Sequence, residues 1–406
     1  RRLLERAAAG ADRVRVVHLW GVDADIAGGP ESAEAALARS CGTALSLLQA
    51  GGSVGIDQVC WVTSGAQGPN GRAPAAEAAA QGAATTRDGR AIEVAANVAT
   101  EADARDAAAH GADSVGLLRT ELLFLERADL PGVDEQRAAY QSVLDAMGGR
   151  PVIIRTLDVG NDKEMPGLPM EAEPNPALGM RGIRTGFARP DVLDTQLRAL
   201  LAVRPASACR VMLPMIADAG ELVRVRERLR ALAAEAGVAD PPQLGVMIEV
   251  PSAAVLADQL ARHAAFLSIG TNDLTQYVLA MDRLNPALAP RLDGLHPAVL
   301  RLIQQTTAGA ARHGTWVGVC GALASDLEAV PVLIGLGVTE LSVSPGAVPE
   351  VKARVRALDH ATCEREAAAL LQLDSADAVR ARVREVFPLS DPQGSETQMV
   401  LMGADP

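Results

Sequence analysis

The sequence predicts an α/β protein whose main body is a (β/α)8 TIM barrel, preceded by a small N-terminal βαβ-like appendage. Three observations predict it. From about Arg90 onward, short β-branched apolar runs alternate with Ala/Leu/Arg-rich stretches of helical period, the pattern of repeated βα units. Eight such runs can be counted over about 280 residues, the usual span of that barrel. At 49% hydrophobic residues, the 406-residue chain has the means to bury a large core.

Taken in order, the first 75 residues read as one βαβ-like unit. "RVRVVHLWGVD" has the pattern of a strand, "SAEAALARSCGTALSLLQA" that of a helix and "IDQVCWVTSGAQ" that of a second strand. A Gly/Pro/Ala-rich stretch follows, with a linker expected at 76–86. The barrel is expected over 87–370. Its strands are the runs Glu93 to Val98, Ser114 to Arg119, Val152 to Val159, Arg210 to Met215, Leu244 to Val250, Phe266 to Asn272, Trp316 to Gly321 and Leu341 to Ser344. Thr100, with Asp103 three residues on, is an N-cap candidate for the first barrel helix, which Gly111 stops; another helix starts at Ser252, just after Pro251. Residues 371–406 should form a short helix, Ser375 to Val386, and a loosely ordered tail.

Charge and cysteine usage narrow the function classes. A net charge of −12 argues against a nucleic-acid partner, which calls for a basic surface. The longest apolar runs are under ten residues, too short for a membrane span. Five scattered cysteines with no C-x-x-C pair point to a reducing compartment, so a cytoplasmic location is expected. Of the 38 basic residues only Lys163 and Lys352 are lysines.

In such barrels chemistry sits at the C-terminal ends of the strands, so the residues closing each run are the candidates: Asn97, Arg119, Arg155 with Asp158, Met215, Glu249, Asn272 with Asp273, Cys320 and Ser344. Glu249 and Asp273 close consecutive runs. Adjacent strands lie about 4.8 Å apart, so both carboxylates can reach one hard cation, Mg²⁺ or Mn²⁺. Spacing alone leaves open whether they instead sit at the starts of the following helices, where acidic groups suit the helix dipole. Arg119, Arg155 and Arg283, with Arg181 and Arg184 after the third run, are guanidinium forks gathered at one rim, an arrangement suited to carboxylate or phosphate. Taken singly, each could equally be a surface arginine paired with one of the many acids. Cys320 could be a nucleophile, a proton donor or a small buried hydrophobe. Lys163, in the loop after the third run, could touch a phosphate or stand solvated. Gly51 to Gly55 matches G-x-S-x-G in spacing but follows a helix, whereas a nucleophile elbow follows a strand.

The runs "GLLRTELLF", "IRTLDVGNDKE", "NPALGMRGIR", "LPMI", "GVMIEVPSA", "SIGTNDLTQY", "MDRLNP" and "GVCGALASD" resemble, in order from about Thr86 to Val386, the phosphoenolpyruvate-binding barrel of the phosphoenolpyruvate-protein phosphotransferases, enzyme I of the sugar phosphotransferase system. The resemblance implies that Arg119, Arg155, Asn272, the Asp273 backbone and Arg283 hold phosphoenolpyruvate, supported by Lys163 and Arg181. It implies Mg²⁺ on Glu249 and Asp273, and Cys320 as the group that protonates the enolate to give pyruvate. It also implies a phosphoryl-accepting histidine domain or carrier protein as partner, and a homodimer.

Three departures stand out. The family's Gly-Gly-x-Thr-Ser-His motif is absent, and none of the six histidines lies in a matching context. Asn161 stands where the family usually has glycine, and Ala322 where it has glutamate after Cys-Gly. The first 75 residues resemble the non-catalytic structural half of a polyketide synthase ketoreductase, without dinucleotide-binding glycines or a catalytic tyrosine. The alternatives are therefore a non-catalytic, phosphoenolpyruvate-sensing dimerisation module and, further off, a polyketide-associated reductase fragment.

Overall fold

The computed structural model describes residues 15–19, 58–62, 82–125, 127–160, 165–169 and 171–389. The chain divides into two compact units, residues 1–78 and 79–406. Of the first unit, two strands are described, β1 (Arg15–Leu19) and β2 (Gln58–Val62), paired in parallel from Arg15 opposite Gln58 to Leu19 opposite Val62. Both fall where strands were expected. The helix expected between them, residues 76–81 of the expected linker and the tail beyond residue 389 lie outside the described residues, while 84–85, expected as linker, form a strand.

The second unit opens with a strand that sequence pattern did not reveal, β3 (Ala84–Thr85), antiparallel to the start of β4 (Ala91–Val98). The remaining strands are β5 (Val115–Leu118), β6 (Val152–Arg155), β7 (Cys209–Leu213), β8 (Gln243–Ile248), β9 (Phe266–Ile269), β10 (Trp316–Val319) and β11 (Glu340–Val343). From β4 to β11 each pairs in parallel with the next, and β11 returns to pair with β4, Glu340 opposite Glu93 and Val343 opposite Ala96. The sheet is therefore a closed eight-stranded parallel barrel with helices between strands, as the periodicity predicted.

Alternation along each strand sorts the side chains into two cores. Outward residues such as Val94, Val211, Val246, Leu267, Val317 and Leu341 pack beneath the helices. Inward residues Leu117, Ile153, Met212, Met247, Phe266 and Cys320 fill the lumen. Both faces are buried, which is why the runs read as nearly continuous apolar stretches. At the lumen's lower end Phe266 stacks on Trp316 with ring centroids 5.0 Å apart, and the Arg210 guanidinium lies 5.4 Å from the same indole.

The helices start where polar caps allow. Helix α1 (Glu101–Ala109) has the full reciprocal capping box between Thr100 and Asp103 and ends just before Gly111, whose φ is +76°. The helix expected from Ser252 begins one residue earlier, as α2 (Pro251–Val255), with proline in its first turn. The next helix of consequence, α3 (Thr271–Leu279), follows β9 directly, and α4 (Ala376–Val386) near the end is capped by the Ser375 hydroxyl. Among the described residues no helix is long and apolar enough to cross a membrane.

Candidate active site at the barrel mouth

The strands stop two to four residues before the ends of several apolar runs, so the candidate side chains stand on the first turns beyond the sheet. Together they line a cavity of about 300 Å³ at the C-terminal mouth. Its walls include Arg119, Arg155, Asp158, Arg181, Glu249, Asn272, Asp273, Arg283 and Cys320, over a floor of Leu117 and Met247. Residues from β5, β6, β8, β9 and β10 converge there because a closed barrel brings all strand ends to one rim.

Charges of alternating sign run around this rim. Glu121 Oε1 accepts from Arg155 Nη2 at 3.0 Å, and Arg155 Nη1 lies 3.0 Å from Asp158 Oδ2. Asp158 is shared with Arg181, whose Nη2 and Nε reach its two oxygens at 2.9 and 3.3 Å. Arg181 Nη1 then donates to Asp273 Oδ1 at 3.0 Å, and Arg283 Nη1 donates to Asp273 Oδ2 at 3.2 Å. Most of the ladder is buried: Arg155, Asp158, Arg181 and Asp273 are each less than a tenth exposed, while Arg283 is exposed.

Burial acts on these groups in opposite directions. It disfavours the charge on Arg155, but Glu121, Asp158 and Glu249 outweigh it and hold the guanidinium above its ordinary range. Arg181 behaves likewise: burial opposes its charge, and Asp158 and Asp273 restore it. Glu249 goes the other way. Burial first, then repulsion from Asp158 and Asp273, raises its carboxyl well above the usual carboxylate range, against Arg155 and Arg181.

Each candidate can now be located. Glu249 is not a helix cap: Val250 occupies that position, and Glu249 Oε1 accepts from the Met215 backbone N–H at 2.7 Å. Asp273 does stand in the first turn of α3, but its carboxylate is spent on two arginines. Asn272 Oδ1 accepts from Ala322 N at 2.9 Å, tying β9's end to the turn after β10. Arg119 is exposed in the mouth and makes no ion pair among the described residues. Cys320 is 3% exposed, and burial pushes its thiol up to about 12. Arg184 is turned away from the ladder and holds the carbonyls of Leu178 and Gly179 at 3.0 Å. Lys163 and Asn161 lie outside the described residues.

Gly270 makes room for the Glu249 carboxylate: a Cβ there would sit 3.0 Å from Glu249 Oε2 and 3.1 Å from Glu249 Cβ. Sequence reading missed Glu121, whose position on a short 3₁₀ turn carries no sign of the arginine it meets. It also missed Tyr277, whose hydroxyl accepts from Arg181 at 3.3 Å and donates to the Ala177 carbonyl. Met215 was named only as a strand end; it holds a positive φ of 57°, and its N–H is the donor to Glu249.

The family model described as "PEP-utilising enzyme, PEP-binding domain" matches residues 74–360. The chain belongs to this family. Among curated relatives of this PEP-binding domain, the multiphosphoryl transfer protein of Xanthomonas campestris pv. campestris is 45% identical over 378 residues, covering 87% of this chain and 45% of the relative. That share exceeds what residues 76–406 amount to, so this likeness reaches into the first 75 residues. The multiphosphoryl transfer protein of Rhodobacter capsulatus is 51% identical over 273 residues, 67% of this chain and 33% of the relative. The phosphoenolpyruvate-protein phosphotransferase of Geobacillus stearothermophilus is 42% identical over 313 residues, 76% of this chain and 54% of the relative. The chain thus spans a third to about half the length of the curated relatives it matches.

Proposed function

We propose that the barrel mouth binds phosphoenolpyruvate together with Mg²⁺ and passes the phosphoryl group to a histidine on a phosphoryl-accepting domain or carrier protein, releasing pyruvate. The observation that carries this reading is the convergence of four arginines and four carboxylates on one cavity of about 300 Å³. Phosphoryl transfer is largely positioning and charge neutralisation, and this lining supplies both.

In this reading Arg119, which has no acidic partner among the described residues, and Arg283, which is exposed, meet the incoming anion first. Arg155 and Arg181 hold it from below, with Asn272 and the Asp273 backbone, and Lys163 is the further residue assigned to support the phosphate. The donor set suits a hard divalent cation: Glu249 and Asp273 stand at neighbouring strand ends, Asp273 would exchange an arginine contact for the ion, and burial, then repulsion from Asp158 and Asp273, already raises the Glu249 pKa. Mg²⁺, or Mn²⁺, would neutralise phosphate charge there. As the enol oxygen–phosphorus bond breaks and a phosphorus–nitrogen bond forms on the acceptor histidine, the Cys320 thiol gives its proton to the substrate methylene carbon.

No histidine lines the cavity among the described residues, which supports an acceptor brought from elsewhere. The reading carries with it a cytoplasmic setting, a homodimer, and a layout of appendage (1–75), linker (76–86), barrel (87–370) and C-terminal helix with tail (371–406). Titration calorimetry tests it. Saturable phosphoenolpyruvate binding that requires Mg²⁺ is expected, weakened about tenfold or more by Arg119→Ala, since a hydrogen bond to a charged group contributes roughly 1.5–3 kcal/mol. No heat of binding at millimolar ligand overturns it. A non-catalytic sensing role is the outcome if binding is seen but a supplied histidine domain yields no pyruvate.

A further inference from the structure

A chain of buried polar side chains lies behind the mouth, crossing from the helix Val133–Ala146 to the helix Pro190–Ala202 and on to the turn that carries Arg155 and Asp158. Gln136, Tyr140, Gln196 and Thr120 are each 1% exposed, and none of them lines the cavity. Gln136 Nε2 donates to the Pro131 carbonyl at 2.8 Å, and its Oε1 accepts from the Tyr140 hydroxyl at 3.0 Å. The Tyr140 oxygen accepts from Gln196 Nε2 at 2.9 Å, and the same amide nitrogen donates to Thr120 Oγ1 at 3.4 Å. At the inner end Gln196 Oε1 accepts from the Leu157 N–H at 2.9 Å, while the Thr120 hydroxyl donates to the Arg155 carbonyl at 3.1 Å. Donors and acceptors alternate throughout, which fixes the orientation of both amides.

The inner links close on one short turn. Beside Thr120, Glu121 Oε1 accepts from the Asp158 N–H and from Arg155 Nη2, each at 3.0 Å. Thr120, Glu121 and Gln196 therefore clasp the backbone from Arg155 to Asp158 just as β6 ends. Gln196 is the one polar residue on the buried face of its helix, among Val192, Leu193, Leu197, Ala199, Leu200 and Leu201. A leucine would fill that face without needing partners, whereas a buried amide is costly unless it is hydrogen-bonded. What Gln196 holds accounts for its presence there.

We propose that Gln196 is a positioning residue of the barrel mouth: by holding the Leu157 N–H and, through Thr120, the Arg155 carbonyl, it sets where the Arg155 guanidinium and the Asp158 carboxylate stand. Its effect on substrate rests on the reading of the mouth as a phosphoenolpyruvate site. Arg155 Nη1 lies 3.0 Å from Asp158 Oδ2, and Asp158 in turn holds Arg181 at 2.9 Å, so a shift of this turn reaches two of the arginines assigned to the anion. Misplacing such groups by about 1 Å costs on the order of a hundredfold, and loosening one clasp of three costs less.

Two measurements test the positioning. Gln196→Met keeps the length of the side chain and removes both polar atoms, and by calorimetry with Mg²⁺ it should weaken phosphoenolpyruvate binding about fivefold or more. Leu197→Ala, which opens a cavity beside it in the same helix, should lower the urea midpoint yet leave that affinity within about twofold. Nitrogen–proton spectra of the guanidinium groups, without ligand, supply the second measurement. The Arg155 signal, identified by its loss in Arg155→Met, should be unmoved in Leu197→Ala and shifted or broadened in Gln196→Met. Should Gln196→Met fail to fold, Tyr140→Phe removes only the hydroxyl that Gln196 donates to, and should move signal and affinity in the same direction, the latter about twofold to threefold. Unchanged affinity in Gln196→Met, or an equal loss in Leu197→Ala, overturns the proposal while the phosphoenolpyruvate reading stands. Absence of binding in the wild-type chain overturns that reading instead, and an Arg155 signal unmoved in Gln196→Met then overturns the positioning as well.

Discussion

Arg155 offers a test that needs no substrate. Replacing it with methionine keeps most of the side-chain volume but withdraws the charge between Glu121 and Asp158, which are 5% and 6% exposed. Each contact is 3.0 Å long, and two unit charges at that distance attract by about 5 kcal/mol at an effective dielectric of ~20. Desolvation consumes much of this, so breaking such a pair from one side costs about 3–5 kcal/mol, mainly as the penalty of the abandoned carboxylate. Asp158 keeps Arg181, so the penalty falls chiefly on Glu121. The double variant Arg155→Met/Glu121→Gln removes that orphan and should recover about 2 kcal/mol or more relative to the sum of the single effects. Urea unfolding followed by circular dichroism reads this as a shift in midpoint at constant slope. A cost below about 1 kcal/mol for Arg155→Met, or strict additivity in the double variant, would refute the claim that the ladder is electrostatically coupled.

Three further predictions concern pH, metal and packing. Because folding raises the Glu340 pKa, its contribution to stability is present below its unfolded value of 4.5 and is lost as pH rises toward about 8, at roughly 1.4 kcal/mol per pH unit at most; thermal melts should show that slope flattened in Glu340→Gln. Metal needs the Glu249 carboxylate, whose pKa burial raises, so Mg²⁺ affinity by calorimetry should tighten as pH climbs through that pKa, and Asp273→Asn should remove most of the binding. A Cβ on Gly321 would meet the Thr271 backbone nitrogen at 2.6 Å, so Gly321→Ala should cost about 1–3 kcal/mol in denaturant melts, while Gly346→Ala, with nothing within 4 Å, should be close to neutral.

Much of this protein was legible along the chain because its information is local. Strand runs such as Trp316 to Val319 and Phe266 to Ile269 announce themselves by β-branched and aromatic content, and Thr100 with Asp103 specifies a helix start within four residues. Eight such units in a row imply closure, and closure implies that Arg119, Arg155, Glu249, Asp273 and Cys320 share one rim. What no linear pattern could supply was pairing across the barrel. Whether Asp273 caps a helix or answers two arginines, and what Glu121 is for, depend on side chains 10 to 92 positions away in sequence. The same holds for Glu340, an ordinary acid at the start of an apolar run until two glycines from other strands, Gly116 and Gly318, are seen to open the lumen around it. The chain's own order determined the fold and the list of candidates; which charges neutralise one another, and which acid is left unpaired in the core, was decided only when distant strands were brought into register.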